Sequence, residues 1–282
     1  MKNLLLAGAA AVAGYIAGHL SVGWSAGLFT GLFAFVVVTF LLWRATSKKL
    51  EAIGLAAPAR MQAGDVDGAR AVLVEGLALG REQVLVAEQL QGQIGQLDLM
   101  QAVGLLMQRK TSEGRARLEA ARDALEKSWS RDWRSRALLG VVLQRLGKHD
   151  EAVVAFEAAS GSGGSEALFW GMYAWALNEA QKRETALAVV GRGLAGCKGN
   201  AALTAVQEAL SNKKRPDFGA AFGEAWYQVF PDQMSQEQLI AMYEQSTGKK
   251  VPPGARIGVP GAGSGGQRGA ARPPKTYPMP RR

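Results

Sequence analysis

The first 43 residues are patterned unlike the rest of the chain. Residues 4–20, LLLAGAAAVAGYIAGHL, are apolar except for His19, and residues 24–43, WSAGLFTGLFAFVVVTFLLW, contain no charge. The second run is long enough to span a bilayer as a helix; the first, at 17 residues, sits at the lower limit. Only Ser21, Val22 and Gly23 separate them, which predicts a tight helical hairpin. Trp24 and Trp43 bracket the second run at a helical separation of about 28 Å, close to the hydrocarbon thickness of about 30 Å. Tryptophan favours that interface. Gly14 and Gly18 form one GxxxG, Gly27 and Gly31 another, and both are expected to pack the hairpin internally. The alternatives are two core helices of a soluble domain, which the uncharged run at 24–43 disfavours, and a cleaved signal peptide over residues 1–20 with Lys2 as its basic start. Cleavage there would still leave the second run as an anchor.

Beyond residue 47 the apolar positions recur at helical spacing. The pattern predicts a helix over 48–63 with a break near Pro58. A turn at Gly64–Ala69 leads into a helix over 66–79. Residues 84–109 read as one long helix or two short ones, because Gly92, Gly95 and Gly104 blur the boundary. Residues 112–127 form a helix with Leu118, Ala121 and Leu125 on one face. The run Ser160–Ser165 is rich in Gly and Ser and reads as a loop. A further helix covers 200–212, and Lys213-Lys214-Arg215-Pro216 breaks it. Phe218, Phe222, Trp226 and Phe230 follow at a spacing of four, the stripe of one helix that Pro231 ends. This stripe is expected to cap the open end of the helical array. Ser235 and Gln238 have capping-box spacing for a last helix over 235–246.

Trp133 to Asn200 repeats itself at a spacing of 34 residues. Gly140 pairs with Ala174, Leu143 with Leu177, Ala152 with Ala186, Phe156 with Val190 and Ala159 with Gly193. Small residues at these places let paired helices approach closely, and large ones fill the space between units. This period and pattern resemble the tetratricopeptide repeat (TPR). With Trp133 at motif position one, Leu139 and Gly140 stand at seven and eight, and Leu143 at eleven. Ala152 stands at twenty, Phe156 at twenty-four and Ala159 at twenty-seven. Trp170 takes the aromatic position four of the second unit. The motif's proline at thirty-two is replaced by Gly164 and Lys198. Gly64, Asp67 and Ala69 echo Gly147, Asp150 and Ala152, as if residues up to 79 held the second half of a first, degenerate unit. The resemblance implies an all-α chain whose units stack into a solenoid, since one unit cannot bury its own apolar face. Two amino-terminal membrane helices followed by TPR units also resemble the layout of bacterial inner-membrane TPR proteins associated with haem biosynthesis.

Charge sharpens the division. Residues 249–282 carry eight Lys and Arg and no acid, so of the net charge of +9 only +1 remains for residues 1–248. From Thr247 on, the chain is rich in Gly, Pro and Arg, the composition of a disordered tail. Four segments result: a two-helix membrane anchor (1–47), TPR-like helical repeats (48–215), capping helices (216–247) and a basic tail (248–282). Lys2 precedes the first span and Arg44, Lys48 and Lys49 follow the second, while the connection carries no Lys or Arg. The positive-inside rule then places both ends, and the soluble part, on the cytoplasmic face of a cell (inner) membrane.

Little points to catalysis. Cys197 is the only cysteine, and His19 and His149 the only histidines, which disfavours a metal cluster or a His-dependent triad. Gly261, Gly263 and Gly266 match GxGxxG without the strand and helix that a nucleotide site needs. Asp217-Phe218-Gly219 reads as a helix start. No catalytic residue, metal or cofactor is therefore expected. The expected function is a membrane-anchored TPR adaptor or scaffold that binds a protein or peptide. The alternative is a non-catalytic accessory subunit or assembly factor of an inner-membrane metabolic enzyme complex. The tail is expected to touch anionic surfaces weakly.

The TPR resemblance also implies where a partner sits. In that family the first helix of each unit lines the concave face through motif positions two, five, nine, twelve and thirteen. Carried over, these are Arg134, Ala137, Val141, Gln144 and Arg145, then Leu168, Gly171, Trp175, Asn178 and Glu179. Arg134, Val141, Gln144, Arg145, Leu168, Trp175 and Asn178 form the expected partner-binding groove. Arg134, Gln144, Arg145 and Asn178 would supply donors, and Trp175 a flat apolar contact. Glu179 departs from the basic clamp of the chaperone-binding TPR proteins, so an internal or helical segment is the expected ligand rather than a free carboxy terminus.

Overall fold

A computed structural model describes residues 2–81, 85–247 and 250. Every regular element among them is helical. Two helices long and apolar enough to cross a membrane open the chain, α1 (Lys2–Val22) and α2 (Trp24–Gln62). Only 11% of the apolar window of each is buried, and Phe29, Leu32, Phe33 and Leu41 all point outward. A core helix of a soluble domain would hide such residues. The two pack along their length as the GxxxG pairs suggested. A Cβ on Gly31 would stand 2.8 Å from the Ala11 carbonyl, and one on Gly27 2.8 Å from the Tyr15 carbonyl. Thr30 Oγ1 donates to the Gly14 carbonyl across the seam at 2.7 Å.

The expected break near Pro58 is absent. Helix α2 runs unbroken through Pro58 to Gln62, so the boundary drawn at residue 47 falls inside it. Proline costs a helix one hydrogen bond and a clash one turn back. Here it lies within the last turn and a half, where burial of Leu50, Ile53, Ala57 and Met61 against the next helices outweighs that cost.

Next come α3 (Val66–Gly76), a 3-10 turn at Leu77–Arg81, α4 (Val86–Met107) and α5 (Thr111–Glu126). Asp65 caps α3 by accepting from the Gly68 N–H at 2.8 Å. Residues 86–107 form one helix despite three glycines, two of which admit close neighbours. A Cβ on Gly95 would meet Leu125, and one on Gly92 would meet Ser135 Oγ, each at 2.5 Å.

Three helices then begin 34 residues apart: α6 at Trp133 (to Arg145), α8 at Ala167 (to Glu179) and α10 at Ala201 (to Ser211). Between them lie α7 (His149–Gly163) and α9 (Arg183–Gly196), also 34 residues apart at their starts. The expected loop at 160–165 is thus mostly helix. Gly163 makes room for the Phe169 ring, which lies 2.9 Å from where its Cβ would be. Each helix packs on its chain neighbours, while α4, α6, α8 and α10 also touch in sequence.

A buried seam of Leu125, Val142, Phe156, Phe169, Tyr173 and Leu203 runs through these units. Phe156 stacks on Tyr173 with ring centres 5.0 Å apart. Glu157 (α7) ties three helices: it accepts from Tyr173 Oη (α8) at 2.7 Å and from both ends of the Arg192 guanidinium (α9) at 2.7 and 3.0 Å. The Arg192 bond holds the Glu157 carboxyl below its ordinary range, while burial and that carboxylate push the Tyr173 phenol up. At the other end, Asp98 is fully buried in α4. It accepts from Arg70 Nε (α3) at 2.7 Å and Arg117 Nη1 (α5) at 3.0 Å.

The aromatic stripe does not lie on one helix. Gly223, at φ 61° and ψ −136°, separates α11 (Phe218–Phe222) from α12 (Glu224–Tyr227), and a 3-10 turn at Pro231–Gln233 follows. Asp217 caps α11 by accepting from the Ala220 N–H. The last helix, α13 (Gln236–Thr247), begins with the expected reciprocal cap. The Gln238 N–H donates to Ser235 Oγ at 3.2 Å, and the Ser235 N–H to Gln238 Oε1 at 2.9 Å. The expected disordered tail over 248–282 lies, apart from Lys250, outside the described residues.

Candidate partner-binding groove

The carried-over groove positions lie on α6 and α8, which pack against each other between α4 and α10. Arg134, near the start of α6, is exposed and its guanidinium lies over the Trp133 ring. Ala137 and Val141 are fully buried. Gln144 is buried too, with its amide oxygen 2.9 Å from His149 Nδ1. Leu168 and Asn178 are half-buried and Glu179 is exposed.

Arg145, Gly171 and Trp175 meet something the sequence did not place there: residues 216–234 of the same chain. The Phe222 ring comes to 2.5 Å from where a Gly171 Cβ would stand, so only glycine admits it. Trp175 is 7% exposed; its ring centre lies 4.5 Å from that of Phe230 and 6.5 Å from that of Trp226. Trp226 in turn stacks on Phe218, Phe222 and Phe230. Arg145 closes the row. It donates through both terminal nitrogens to Asp232 at 2.8 and 3.0 Å and lies over the Phe230 ring. Such a forked pair is among the strongest of charge-assisted contacts. The 3-10 turn carrying Asp232 reaches on to α4. The segment therefore lies across α10, α8, α6 and α4, along the side of the array and not over its end.

The fit is incomplete in two respects. Arg145 Nε is buried without an acceptor. Beside the Arg145–Asp232 pair, a cavity of about 570 Å³ stays open between Trp175, Asn178 and Glu179 on one wall and Arg215, Asp217 and Phe218 on the other. A second hollow of about 410 Å³ adjoins it at Asn178 and Glu179 and is walled by Arg183, Lys213 and Lys214. Arg183 itself is held by the Leu210 and Lys214 carbonyls.

Asp232, Trp226 and Phe230 are the residues that sequence reasoning did not assign to the groove. Their spacing was visible, but the 87-residue separation of Arg145 and Asp232 left no local signal of their meeting. Comparison with family models, with curated proteins and with solved structures finds no match for this chain.

Proposed function

We propose that this protein is a membrane-anchored adaptor, a TPR-like solenoid on a two-helix hairpin that binds a protein or peptide at the cytoplasmic face. The observation that carries this reading is the strict 34-residue pitch of α6, α8 and α10, which sit side by side. A stack of this kind offers an extended surface for a partner. The outward-facing apolar residues of α1 and α2 support the anchor, and Lys2, Arg44, Lys48 and Lys49 on the two flanks support the orientation.

Photo-crosslinking in native membranes tests the adaptor role. A crosslinker at Arg134 or Asn178 on the groove side should trap a defined protein, and one at the exposed Val154 of α7 should not. Equal trapping from all three positions would reject the groove as the binding face. A reporter active only outside the cytoplasm, fused after Lys250, should stay silent; strong activity would reverse the orientation.

A further inference from the structure

Residues 216–234 of the same chain cover α6 and α8 at Arg145, Gly171 and Trp175. Trp226 and Phe230 lie four residues apart and press on Trp175 and on the Phe218 and Phe222 rings. Asp232, two residues further, meets the Arg145 fork. Gly223 takes a backbone conformation that L side chains rarely adopt, and it lets rings on both sides of the break reach one row. A mere cap for a helix end needs apolar cover alone. This one adds a paired charge in the middle of the array, and it leaves Arg145 Nε and the adjoining cavity unfilled.

We infer that the face formed by α6 and α8 recognises a partner segment with two aromatic residues four apart and an acidic residue two beyond the second, and that Trp226–Asp232 occupies this face in cis until such a segment displaces it. The inference rests on the adaptor reading and names its ligand class. A partner that also presents an acceptor to Arg145 Nε, or fills the cavity beside Trp175, has contacts that the internal segment lacks. The internal segment holds its place by being tethered through residues 212–217, which gives it a high effective concentration. A competing ligand therefore binds the closed protein more weakly, by the fraction of time the face is open.

The test uses the full chain in detergent micelles and, as probe, a fluorescent peptide of residues 216–235. Wild-type protein should bind it weakly. Asp232→Ala, which loosens the internal segment and leaves Arg145 in place, should bind it about tenfold more tightly. Replacing Asp232 within the peptide by Asn should remove most of that gain, and an Arg145→Ala host should no longer distinguish the two peptides. Hydrogen exchange on wild-type protein needs no variant. Amides of residues 224–233 should exchange about tenfold faster than those of 168–179, as a locally opening segment does. No saturable peptide binding by a cooperatively folded Asp232→Ala protein, or equal protection of the two segments, would make residues 216–234 a fixed cap and overturn the inference. The probe requires no cellular partner, so a failure to crosslink one in membranes counts against the adaptor role alone.

Discussion

Gly140→Ala tests whether close helix approach, rather than propensity, sets the stability of the array. A Cβ at Gly140 would stand 2.5, 2.7 and 2.8 Å from three atoms of the Phe156 ring. That ring cannot give way easily. It is fully buried, stacks on Tyr173 and leans on Phe169. Overpacking of this kind costs about 1–3 kcal/mol, and replacing a helical glycine by alanine returns up to about 1 kcal/mol. The net expectation is a loss of about 1–2 kcal/mol, with about 2–4 °C in melting temperature for each kcal/mol in a folded part of this size. Gly191, in the middle of α9, is the control, because nothing lies within 4 Å of its would-be Cβ. Gly191→Ala should stabilise by about 0.5–1 kcal/mol. Both are read by thermal melts of the full chain in micelles, followed by far-ultraviolet circular dichroism. Phe156→Leu shortens the obstructing ring, so in that background the penalty at Gly140 should fall by more than about 0.5 kcal/mol. If Gly140→Ala stabilises as Gly191→Ala does, the packing account of the 34-residue pattern is wrong.

Further outcomes follow from other contacts. Asp98→Ala should cost about 2–3 kcal/mol, because Arg70 and Arg117 lose a shared buried acceptor; a neutral result in denaturant melts would mean both find water without loss. Pro58→Ala should stabilise by about 1–2 kcal/mol, since the ring is exposed and an interior hydrogen bond is restored; destabilisation would show that the proline shapes α2. Arg192 holds the Glu157 carboxyl low, so its stabilising contribution is complete above the ordinary Glu value of about 4.3 and is lost as pH falls through the lower folded value. Glu157→Gln should therefore lower the melting temperature at neutral pH and match wild type in strong acid; a gap that persists at low pH would refute the linkage.

What could be read from the sequence was whatever repeats or alternates locally. The 34-residue register of Gly140, Ala152 and Phe156 located the helix pairs, and the uncharged run of 24–43 located the second apolar helix. Three readings failed, two where packing overrode local preference and one where a glycine's own conformation did. Pro58 did not break α2, because Ala57 and Met61 are held by the next helices. Ser160–Gly163 is helical, and Gly163 there leaves the space that the Phe169 ring takes. Gly223 split the aromatic stripe, which a spacing of four conceals. Of the carried-over positions, Ala137, Val141 and Gln144 are buried among the helices, and what covers Arg145, Gly171 and Trp175 left no local signal. Arg145 and Asp232, or Gly171 and Phe222, meet only after the intervening helices have folded.

One consequence of α2 is mechanical. Its 39 residues make a single rod of about 58 Å. The first 20 of them are the uncharged run, and the remainder supplies a wall of the first core through Leu50, Ile53 and Ala57. Taken as a membrane helix, α2 leaves no swivel between bilayer and array. The height of the groove above the lipid and the direction it faces are then fixed by helical phase. Inserting one residue after Trp43 would turn the whole array by about 100° at 3.6 residues per turn, whereas inserting a full heptad would raise it and restore nearly the same heading. A partner embedded in the same membrane would meet the groove at a set azimuth, so such an anchor would aim the array as well as tether it.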